Sequence, residues 1–327
     1  MLPTRGPVGA VTVRRMRHRR MGRSGLSVSR LALGTMTWGR STTVEDARDQ
    51  LRTFLAAGGD LVDTAYGYAD GASSEALGTF LGDLVPREEV VVCTKAGISR
   101  RTGERVVDTS RRTLMSQLDT SLARLGTSYV DLWLVHTWSD TAPVEETLSA
   151  LEWAVTSGRA RYVGVSNYSG WQSAHAATLM SAGRVPLVAN EVEYSLLNRE
   201  PEDEVAGAAT ALGLGLLPWS PLGRGVLTGK YRHGVPADSR AASREHAGFT
   251  SRYLDDDSAQ VVDAVAIAAR GLGVSATEVA LAWVRDRPGV VAPIVGARTT
   301  AQLRTALASE QLELPDELVS ALDDVSA

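Results

Sequence analysis

Four side chains that can carry a charge or pass a proton lie at, or just beyond, the ends of three short apolar runs: Asp63, Tyr68, Lys95 and His136. The runs follow one another along the chain, and neighbouring strands of a sheet lie about 4.8 Å apart. The outer two would then be about 10 Å apart, so side chains as long as tyrosine and lysine can meet between them. Each residue alone is as consistent with a helix cap, an ion pair or a structural histidine. Their placement on consecutive strand ends predicts a common site.

The chemistry that this set suits is protonation of a developing alkoxide. The unperturbed pKa of tyrosine, about 10, is too high for easy proton exchange at neutral pH. An ammonium group beside Tyr68 stabilises the phenolate and lowers that pKa, and a shift of about three units corresponds to roughly 4 kcal/mol. Asp63 would hold Lys95 charged and in place, and His136 would orient the substrate oxygen. Tyr68 is therefore the predicted general acid.

The elements that must position these side chains alternate between apolar strands and amphipathic helices. Strands are predicted at residues 31–34, 61–63, 90–94, 130–135, 162–165, 187–189, 214–217 and 292–295. Helices are predicted at residues 44–57, 111–124, 144–157 and 201–212, among others. The strands are apolar without alternation, which is typical of strands buried on both faces.

Eight such units predict an α/β fold, the (β/α)8 TIM barrel, with further helices at the C-terminus. The alternative, a doubly wound sheet, would carry G-x-G-x-x-G after its first strand, and this sequence does not. Residues 17–21 and 26–28 predict an N-terminal hairpin that closes the bottom of the barrel. The long polar stretch 231–257, with Arg232, His233, Arg244 and Arg252, is interpreted as a lid.

Composition excludes several classes of function. The 327 residues carry a net charge of −4, which gives no reason to expect nucleic acid, and no apolar run approaches the roughly 20 residues that span a bilayer. Residues 1–30 contain eight arginines and no acid, but no apolar signal segment follows them. We predict a disordered tail at residues 1–13 and one barrel domain at 14–327. No feature of the sequence predicts an oligomeric state.

A single cysteine, Cys93, excludes an intrachain disulfide and is typical of a reducing compartment, so a cytoplasmic location is predicted. No metal is predicted either. A metal-dependent barrel hydrolase would need several histidine and carboxylate ligands at strand ends, and of five histidines only His136 follows a predicted strand.

The ordered motifs of the chain resemble those of the aldo-keto reductases, most closely the bacterial and potassium-channel-β-like branch. The catalytic motifs are Asp63-Thr-Ala-x-x-Tyr68, Thr94-Lys95 and Leu134-Val-His136, and further matches lie at 34–39, 73–78, 164–167, 219–230 and 293–298. Together they extend from about residue 17 to 325. The resemblance implies an NADPH-dependent reductase of aldehydes or ketones in which Asp63, Tyr68, Lys95 and His136 form the catalytic tetrad.

The resemblance also implies a nicotinamide cofactor that lies extended across the barrel mouth. Trp219 would stack on the nicotinamide, and Ser166 and Asn167 would hold its carboxamide. Arg298, opening the helix after the last strand, would meet the 2′-phosphate, which favours NADPH over NADH. The pyrophosphate would lie against a loop containing Ser220, Pro221, Leu222, Gly225 and Lys230. The remaining implied cofactor contacts are Gly34, Thr35, Met36, Asp63, Glu191, Gly296 and Gln302.

The sequence departs from the family at both ends of this cofactor. The family usually has glutamine where this chain has Glu191, and often Glu-Asn where it has Thr305-Ala306. A carboxylate at Glu191 can still accept a hydrogen bond from the carboxamide, but it adds negative charge beside the nicotinamide. Our hypothesis is that Glu191 stabilises the oxidised cofactor relative to a glutamine.

The substrate pocket is predicted to be aromatic, with Trp38 and Tyr66 beside Tyr68 and His136. Such a pocket suits many small carbonyl compounds and selects none of them. The rival function is a cofactor-sensing regulatory module with little turnover, as the channel-β-like resemblance suggests. The complete tetrad favours the enzyme.

Overall fold

The computed structural model describes residues 16–327, except 101–102, 182, 238 and 243–246. The predicted tail at 1–13 and Arg244 lie outside the described residues. The strands, in chain order, are β1 (His18–Arg20), β2 (Ser27–Ser29), β3 (Ala32–Gly34), β4 (Leu61–Asp63), β5 (Val91–Ala96), β6 (Ile98–Ser99), β7 (Val106–Val107), β8 (Val130–Val135), β9 (Ala160–Ser166), β10 (Leu187–Glu193), β11 (Gly215–Trp219) and β12 (Ile294–Gly296).

Eight of these strands form a parallel barrel, which confirms the predicted (β/α)8 fold. They run in the order β3, β4, β5, β8, β9, β10, β11 and β12 around the barrel, and β12 pairs with β3. The last gap, between β11 and β12, is closed by the residues just before β12. Leu216 donates its amide to the Gly289 carbonyl at 2.9 Å and accepts from the Val291 amide at 2.9 Å.

Helices cover the outside of the barrel: α1 (Val44–Ala56), α2 (Ala72–Phe80), α3 (Arg111–Leu125), α4 (Val144–Thr156), α5 (Gly170–Ser181), α6 (Val205–Leu212), α7 (Ala247–Thr250), α8 (Asp256–Leu272), α9 (Ala276–Arg285), α10 (Thr300–Ala308) and α11 (Asp316–Val325). Side-chain caps fix several starts, as where Thr43 accepts from the Asp46 amide. The helix predicted at 201–212 is instead a 3-10 turn at Glu200–Glu202 followed by α6.

Two hydrophobic clusters result from the alternation of side chains along the strands. In β8, Leu132 and Leu134 belong to the cluster inside the barrel, whereas Trp133 and Val135 belong to the cluster under the helices. Cys93 is a free, fully buried thiol of the inner cluster, as its apolar context predicts.

The predicted hairpin is present and closes the bottom of the barrel. β1 and β2 pair antiparallel, and Met21, between them, is fully buried in the inner cluster. Gly22 has a φ of +54°, and a Cβ there would lie 2.2 Å from the Gly213 carbonyl oxygen. Only glycine therefore allows this close approach to the start of β11.

Among the residues described, no single helix is both long and apolar enough to cross a bilayer. The bent pair of α8 and α9, with axes 102° apart, satisfies the length and composition criteria only when the two are taken together.

Candidate active site

Each barrel strand places one inward-facing residue at the upper end of the barrel. These residues are Gly34, Asp63, Lys95, His136, Ser166, Glu191, Trp219 and Gly296. Most lie two positions after a residue of the inner cluster, as Lys95 does after Cys93 and Glu191 after Ala189. Since side chains alternate with a period of two, both members of each pair point into the barrel. The strand register therefore brings the predicted tetrad to one place.

The centre of the site is the ammonium group of Lys95, which is completely buried. Its Nζ donates to Asp63 Oδ1 at 2.6 Å and Oδ2 at 2.7 Å, and to the Tyr68 hydroxyl at 3.3 Å. A second carboxylate oxygen, Glu191 Oε2, lies 3.2 Å from the same nitrogen but is not aligned for a hydrogen bond. One buried cation thus faces two acids and a phenol.

Charge balance keeps Lys95 protonated. Burial alone would lower its pKa, but the carboxyl groups of Asp63 and Glu191 outweigh burial, and the pKa of Lys95 is raised well above its ordinary value. An uncompensated buried ammonium would be very costly, which is why the two hydrogen bonds from Asp63 matter.

The pKa of Tyr68 moves in the opposite direction to the one that Lys95 alone would cause. Burial raises the pKa of the phenol most, the positive charge of Lys95 lowers it, and the carboxyl groups of Asp63 and Glu191 raise it again, with a net increase. Tyr68 therefore holds its proton throughout the neutral range. That is the form a proton donor needs, and Lys95 is in place to stabilise the phenolate that remains.

Glu191 differs from an ordinary glutamate because it is buried beside another acid. Burial first, and then the negative charge of Asp63, raise the pKa of Glu191 to about 8, against the opposing effect of Lys95. The side chain is therefore mostly protonated, and neutral, at pH 7. A protonated carboxyl resembles a glutamine amide in size and hydrogen bonding, so the negative charge expected beside the nicotinamide develops only at alkaline pH.

His136 contributes a neutral imidazole. Burial, followed by the positive charges of Lys95 and Arg105, holds the pKa of His136 well below its usual range. Its ring packs edge-on against Tyr68, with centroids 5.9 Å apart, and its Nδ1 atom has no hydrogen-bond partner among the described residues. A neutral imidazole beside the phenol can donate to a substrate oxygen without adding charge to the site.

A cavity of about 660 Å³ opens above these groups. The predicted site residues that line it are Gly34, Met36, Asp63, Tyr68, His136, Asn167, Glu191, Trp219, Ser220, Pro221, Leu222, Gly225, Lys230, Gly296, Arg298 and Gln302. They extend from the tetrad to the loops after β11 and β12.

Two residues of the cavity wall have a strained backbone conformation. Asn167, after β9, and Ser220, after β11, have φ of +57° and +51°, a region that non-glycine residues rarely adopt. Asn167 donates to the His136 carbonyl at 3.0 Å and accepts from the Trp219 indole at 2.9 Å. The indole ring of Trp219 is therefore held in a fixed orientation at the edge of the cavity.

The loop after β11 provides a cradle that fits a phosphate. Gly225 has a φ of +93°, and a Cβ at this position would lie 3.2 Å from the Lys230 ammonium nitrogen. The bare backbone and the ammonium thus face the same space, an arrangement typical of anion sites. Arg298 lines the same end of the cavity, two residues before the start of α10, and its amide donates to Gln302 Oε1 at 2.9 Å.

Four residues predicted to contact the cofactor or substrate do not line the cavity. Trp38 is fully buried, packs edge-on against Phe80 and donates to Gln50, so it belongs to the outer core. Tyr66 is also buried outside the cavity, with the guanidinium of Arg124 over its ring.

Thr35 and Ser166 are also fully buried and do not line the cavity. The Thr35 hydroxyl donates to the Asp63 carbonyl at 2.9 Å, and Ser166 Oγ accepts from Asn167 at 3.0 Å. Both support residues that line the cavity instead of lining it themselves.

Sequence reasoning missed Arg224, which joins the loop after β11 to the segment predicted as a lid. Its guanidinium donates twice to Glu193 at 2.7 and 2.6 Å, donates to the Phe249 carbonyl at 2.6 Å and stacks on the Phe249 ring. Phe249 in turn lines the cavity, so part of the 231–257 stretch does cover the site. Arg224 has a φ of +57° between two glycines, and that unusual conformation is not evident from residue type.

Sequence reasoning also missed three arginines that line the cavity, Arg40, Arg100 and Arg105. Arg100 and Arg105 lie beyond β5 on the hairpin formed by β6 and β7, outside the ends of the barrel strands.

One group of three potential metal ligands occurs among the described residues: Asp63, Cys93 and Glu191. Two of its members already contact the Lys95 ammonium. Two of these three potential ligands therefore surround the ammonium group of Lys95, as in a buried ion-pair cluster.

Comparison with known proteins agrees with this geometry. A sequence model of the aldo/keto reductase family matches residues 30–327. A probable voltage-gated potassium channel subunit beta of Oryza sativa subsp. japonica is 38% identical over 295 residues, covering 88% of this chain and 89% of the relative. L-glyceraldehyde 3-phosphate reductase of Escherichia coli strain K12 is 34% identical over 298 residues, covering 88% of this chain and 86% of the relative.

An uncharacterized oxidoreductase, YrpG, of Bacillus subtilis strain 168 is 33% identical over 330 residues, covering 95% of this chain and 96% of the relative. The match of the family model spans nearly the whole barrel, including all four residues of the tetrad. The chain therefore belongs to the aldo/keto reductase family and is an NAD(P)H-dependent oxidoreductase.

Proposed function

We propose that the protein reduces an aldehyde or ketone to the alcohol, with NADPH as the hydride donor and Tyr68 as the proton donor. The observation that carries this proposal is the contact between the Tyr68 hydroxyl and the buried Lys95 ammonium, at 3.3 Å, beside a neutral His136. The bound nicotinamide supplies the hydride. The residues of the chain supply the proton and hold the carbonyl oxygen.

The proton transfer follows from the charges in the site. Tyr68 and His136 both face the cavity and hydrogen-bond the carbonyl oxygen, which positions the carbon for attack. As negative charge develops on that oxygen, Tyr68 gives up its proton. The resulting phenolate lies beside Lys95, whose charge is fixed by Asp63 at 2.6 Å.

The proposed cofactor preference rests on two cations at the far end of the cavity. Lys230 lies over the bare backbone of Gly225, and Arg298 lies just before the helix α10. A 2′-phosphate adds two negative charges that a guanidinium and a helix N-terminus both stabilise. We therefore propose NADPH as the preferred cofactor, and a cytoplasmic location, where such cofactors are kept reduced.

The second candidate is a cofactor-sensing module with little turnover. It is favoured by the likeness to the rice protein, which is named as a channel subunit. A sensor needs to bind NADPH but not to consume it, so turnover separates the two functions.

The test is consumption of NADPH, followed at 340 nm, against a panel of aldehydes, dicarbonyls, sugars and ketones. The proposed enzyme oxidises NADPH faster with at least one carbonyl compound than without any. Tight binding of NADPH, measured by fluorescence, with no carbonyl-dependent oxidation across the panel would instead support the sensor.

A further inference from the structure

Two arginines on the β6–β7 hairpin line the cavity on the side of Tyr68 and His136. Ser99 pairs with Val106 across this hairpin, so Arg100 and Arg105 occupy the next pair of positions. Both line the cavity, and both are exposed at its mouth. Like charges directly opposite each other in a hairpin are destabilising. An anion bound between them would relieve this repulsion.

The described residues do not provide that negative charge. No carboxylate of the described chain lies within ion-pair distance of Arg100 or Arg105. The nearest acid along the chain on the far side of the hairpin, Asp108, is engaged by the Ser110 amide at 2.9 Å and the Thr113 hydroxyl at 2.5 Å. Glu104 does not line the cavity.

The positive charge of the hairpin reaches the catalytic groups. Arg105 and His136 line the same cavity, and after burial and Lys95 the positive charge of Arg105 adds to the lowering of the His136 pKa. A third arginine, Arg40, lines the same mouth, with its guanidinium 3.7 Å from Asp70. An anion at this mouth would lie in the same cavity as a carbonyl held by Tyr68 and His136.

The cofactor does not account for these arginines. In the barrel order, β5 lies four strands from β11, and β8 lies four strands from β12, so each pair is on opposite sides. Lys230 and Arg298, at the proposed phosphate end of the cofactor, follow β11 and β12. Arg100 and Arg105 follow β5 and therefore face the opposite rim. One dinucleotide cannot place its phosphates at both rims and its nicotinamide between them.

We propose that the substrate of this reductase is a short carbonyl compound with an anionic group, phosphate or carboxylate, held by Arg100 and Arg105 while Tyr68 and His136 hold the carbonyl oxygen. This inference rests on the proposed function and names the class of its substrate. A guanidinium suits both anions because its N–H fork matches two oxygens at once.

The experiment compares kcat/KM for matched pairs of aldehydes that differ in charge. Glyceraldehyde 3-phosphate is compared with glyceraldehyde, and succinic semialdehyde with butyraldehyde, at low ionic strength. Since a hydrogen bond to a charged group contributes a factor of about ten or more, we expect at least a tenfold preference for the anion in one pair. A preference in the first pair identifies phosphate as the group, and a preference in the second identifies carboxylate.

The variants Arg100→Ala, Arg105→Ala and Arg105→Glu test the assignment. Each should lower the preference for the anion, with charge reversal lowering it most. The matched control is Arg161→Ala, since Arg161 is exposed near the start of β9, at the opposite end of the barrel, and should leave the preference unchanged. Circular dichroism and the Kd for NADPH verify that each variant is folded.

The inference and the proposed function fail in different ways. Turnover of neutral and anionic carbonyl compounds at equal efficiency, or a preference that survives Arg105→Glu, would overturn the anionic substrate while leaving the reductase intact. Absence of turnover with every member of the pairs and of the wider panel would overturn the proposed function itself.

Discussion

At the scale of single residues, the site depends on how one ammonium group, two carboxyl groups and a phenol share one buried space. Lys95 lies between Asp63 and Glu191, with Tyr68 as its third neighbour. Removing the phenol oxygen leaves the ion pair of Lys95 and Asp63 complete. The consequences for chemistry and for binding can therefore be separated by substitution.

Tyr68→Phe tests the proton donor. We expect kcat for carbonyl reduction to fall by about 10²–10⁴-fold, the usual contribution of a general acid. The Kd for NADPH should stay within about twofold, because the phenylalanine ring fills the same space. Steady-state kinetics and fluorescence titration measure the two quantities. An equal loss of cofactor binding and turnover would contradict the role assigned to Tyr68.

Glu191→Gln tests the acid that replaces the family's glutamine. In the folded protein, Glu191 is protonated below its pKa of about 8 and ionised above it. Ionisation adds negative charge near the phenol, so the phenolate becomes less stable and reduction slows. The kcat/KM of the native enzyme should therefore fall as the pH rises through about 8, and this step should be absent in Glu191→Gln.

The same substitution tests the hypothesis on cofactor redox state. Above pH 8 the native enzyme should bind NADP⁺ relatively more tightly than Glu191→Gln does, whereas at pH 6.5 the two should have the same ratio of Kd values. Superimposable pH profiles and equal ratios at pH 9 would show that Glu191 does not titrate in this range.

At the scale of elements, the strand ends could be predicted, whereas the directions of several loop side chains could not. Asp63, Lys95 and His136 were found because polar residues after apolar runs mark strand ends. Glu191 lies inside β10, which extends to Glu193, four residues beyond the predicted end at 189. The prediction ended there because polar residues usually end a strand, whereas the barrel interior at this level is itself polar.

The orientation of loop side chains explains why two predicted pocket residues lie outside the cavity. Trp38 and Tyr66 lie in loops near the cavity mouth, but the ring of each packs outside the cavity, against Phe80 or under Arg124. Residue type cannot say which way such a ring points. Residue type likewise does not predict that the hairpin carrying Arg100 and Arg105 lies at the cavity mouth.

Arg224→Ala tests whether the lid segment is held closed by one side chain. The substitution removes an ion pair that is about nine-tenths buried and the bond to the Phe249 carbonyl. We expect the dissociation rate of NADPH, measured by stopped-flow fluorescence, to rise about tenfold. Arg232→Ala is the matched control, because its ion pair with Asp263 is largely exposed and contributes little. Equal rates in both variants would rule out this role.

At the scale of the whole molecule, a buried ion pair joins the first barrel strand to the C-terminal helices. Arg30, just before β3, donates to both Glu310 oxygens, at 2.8 and 2.9 Å, and to the Glu310 carbonyl at 2.8 Å. Both side chains are about 5% exposed. Without Glu310, Arg30 would keep only the more distant Asp286 carboxylate, at 3.7 Å, so its buried charge would be poorly compensated.

Glu310→Ala should therefore lower the free energy of unfolding by about 3 kcal/mol, measured by urea denaturation. Glu313→Ala provides the control, since its ion pair with Arg17 is mostly exposed and its loss should hardly change the urea midpoint. Equal midpoints for the two variants would show that the Arg30 pair does not stabilise the closed barrel.

The hairpin that fills the bottom of the barrel also has a kinetic consequence. Among the described residues, Met21 and the inner cluster close the lower end, so cofactor and carbonyl compound would both enter the cavity from its upper end. The nicotinamide would reach the tetrad at the base of that entrance, and a carbonyl bound there first would obstruct its path. Catalysis should therefore be ordered, with the cofactor arriving first and leaving last, and turnover limited by how fast the oxidised cofactor escapes.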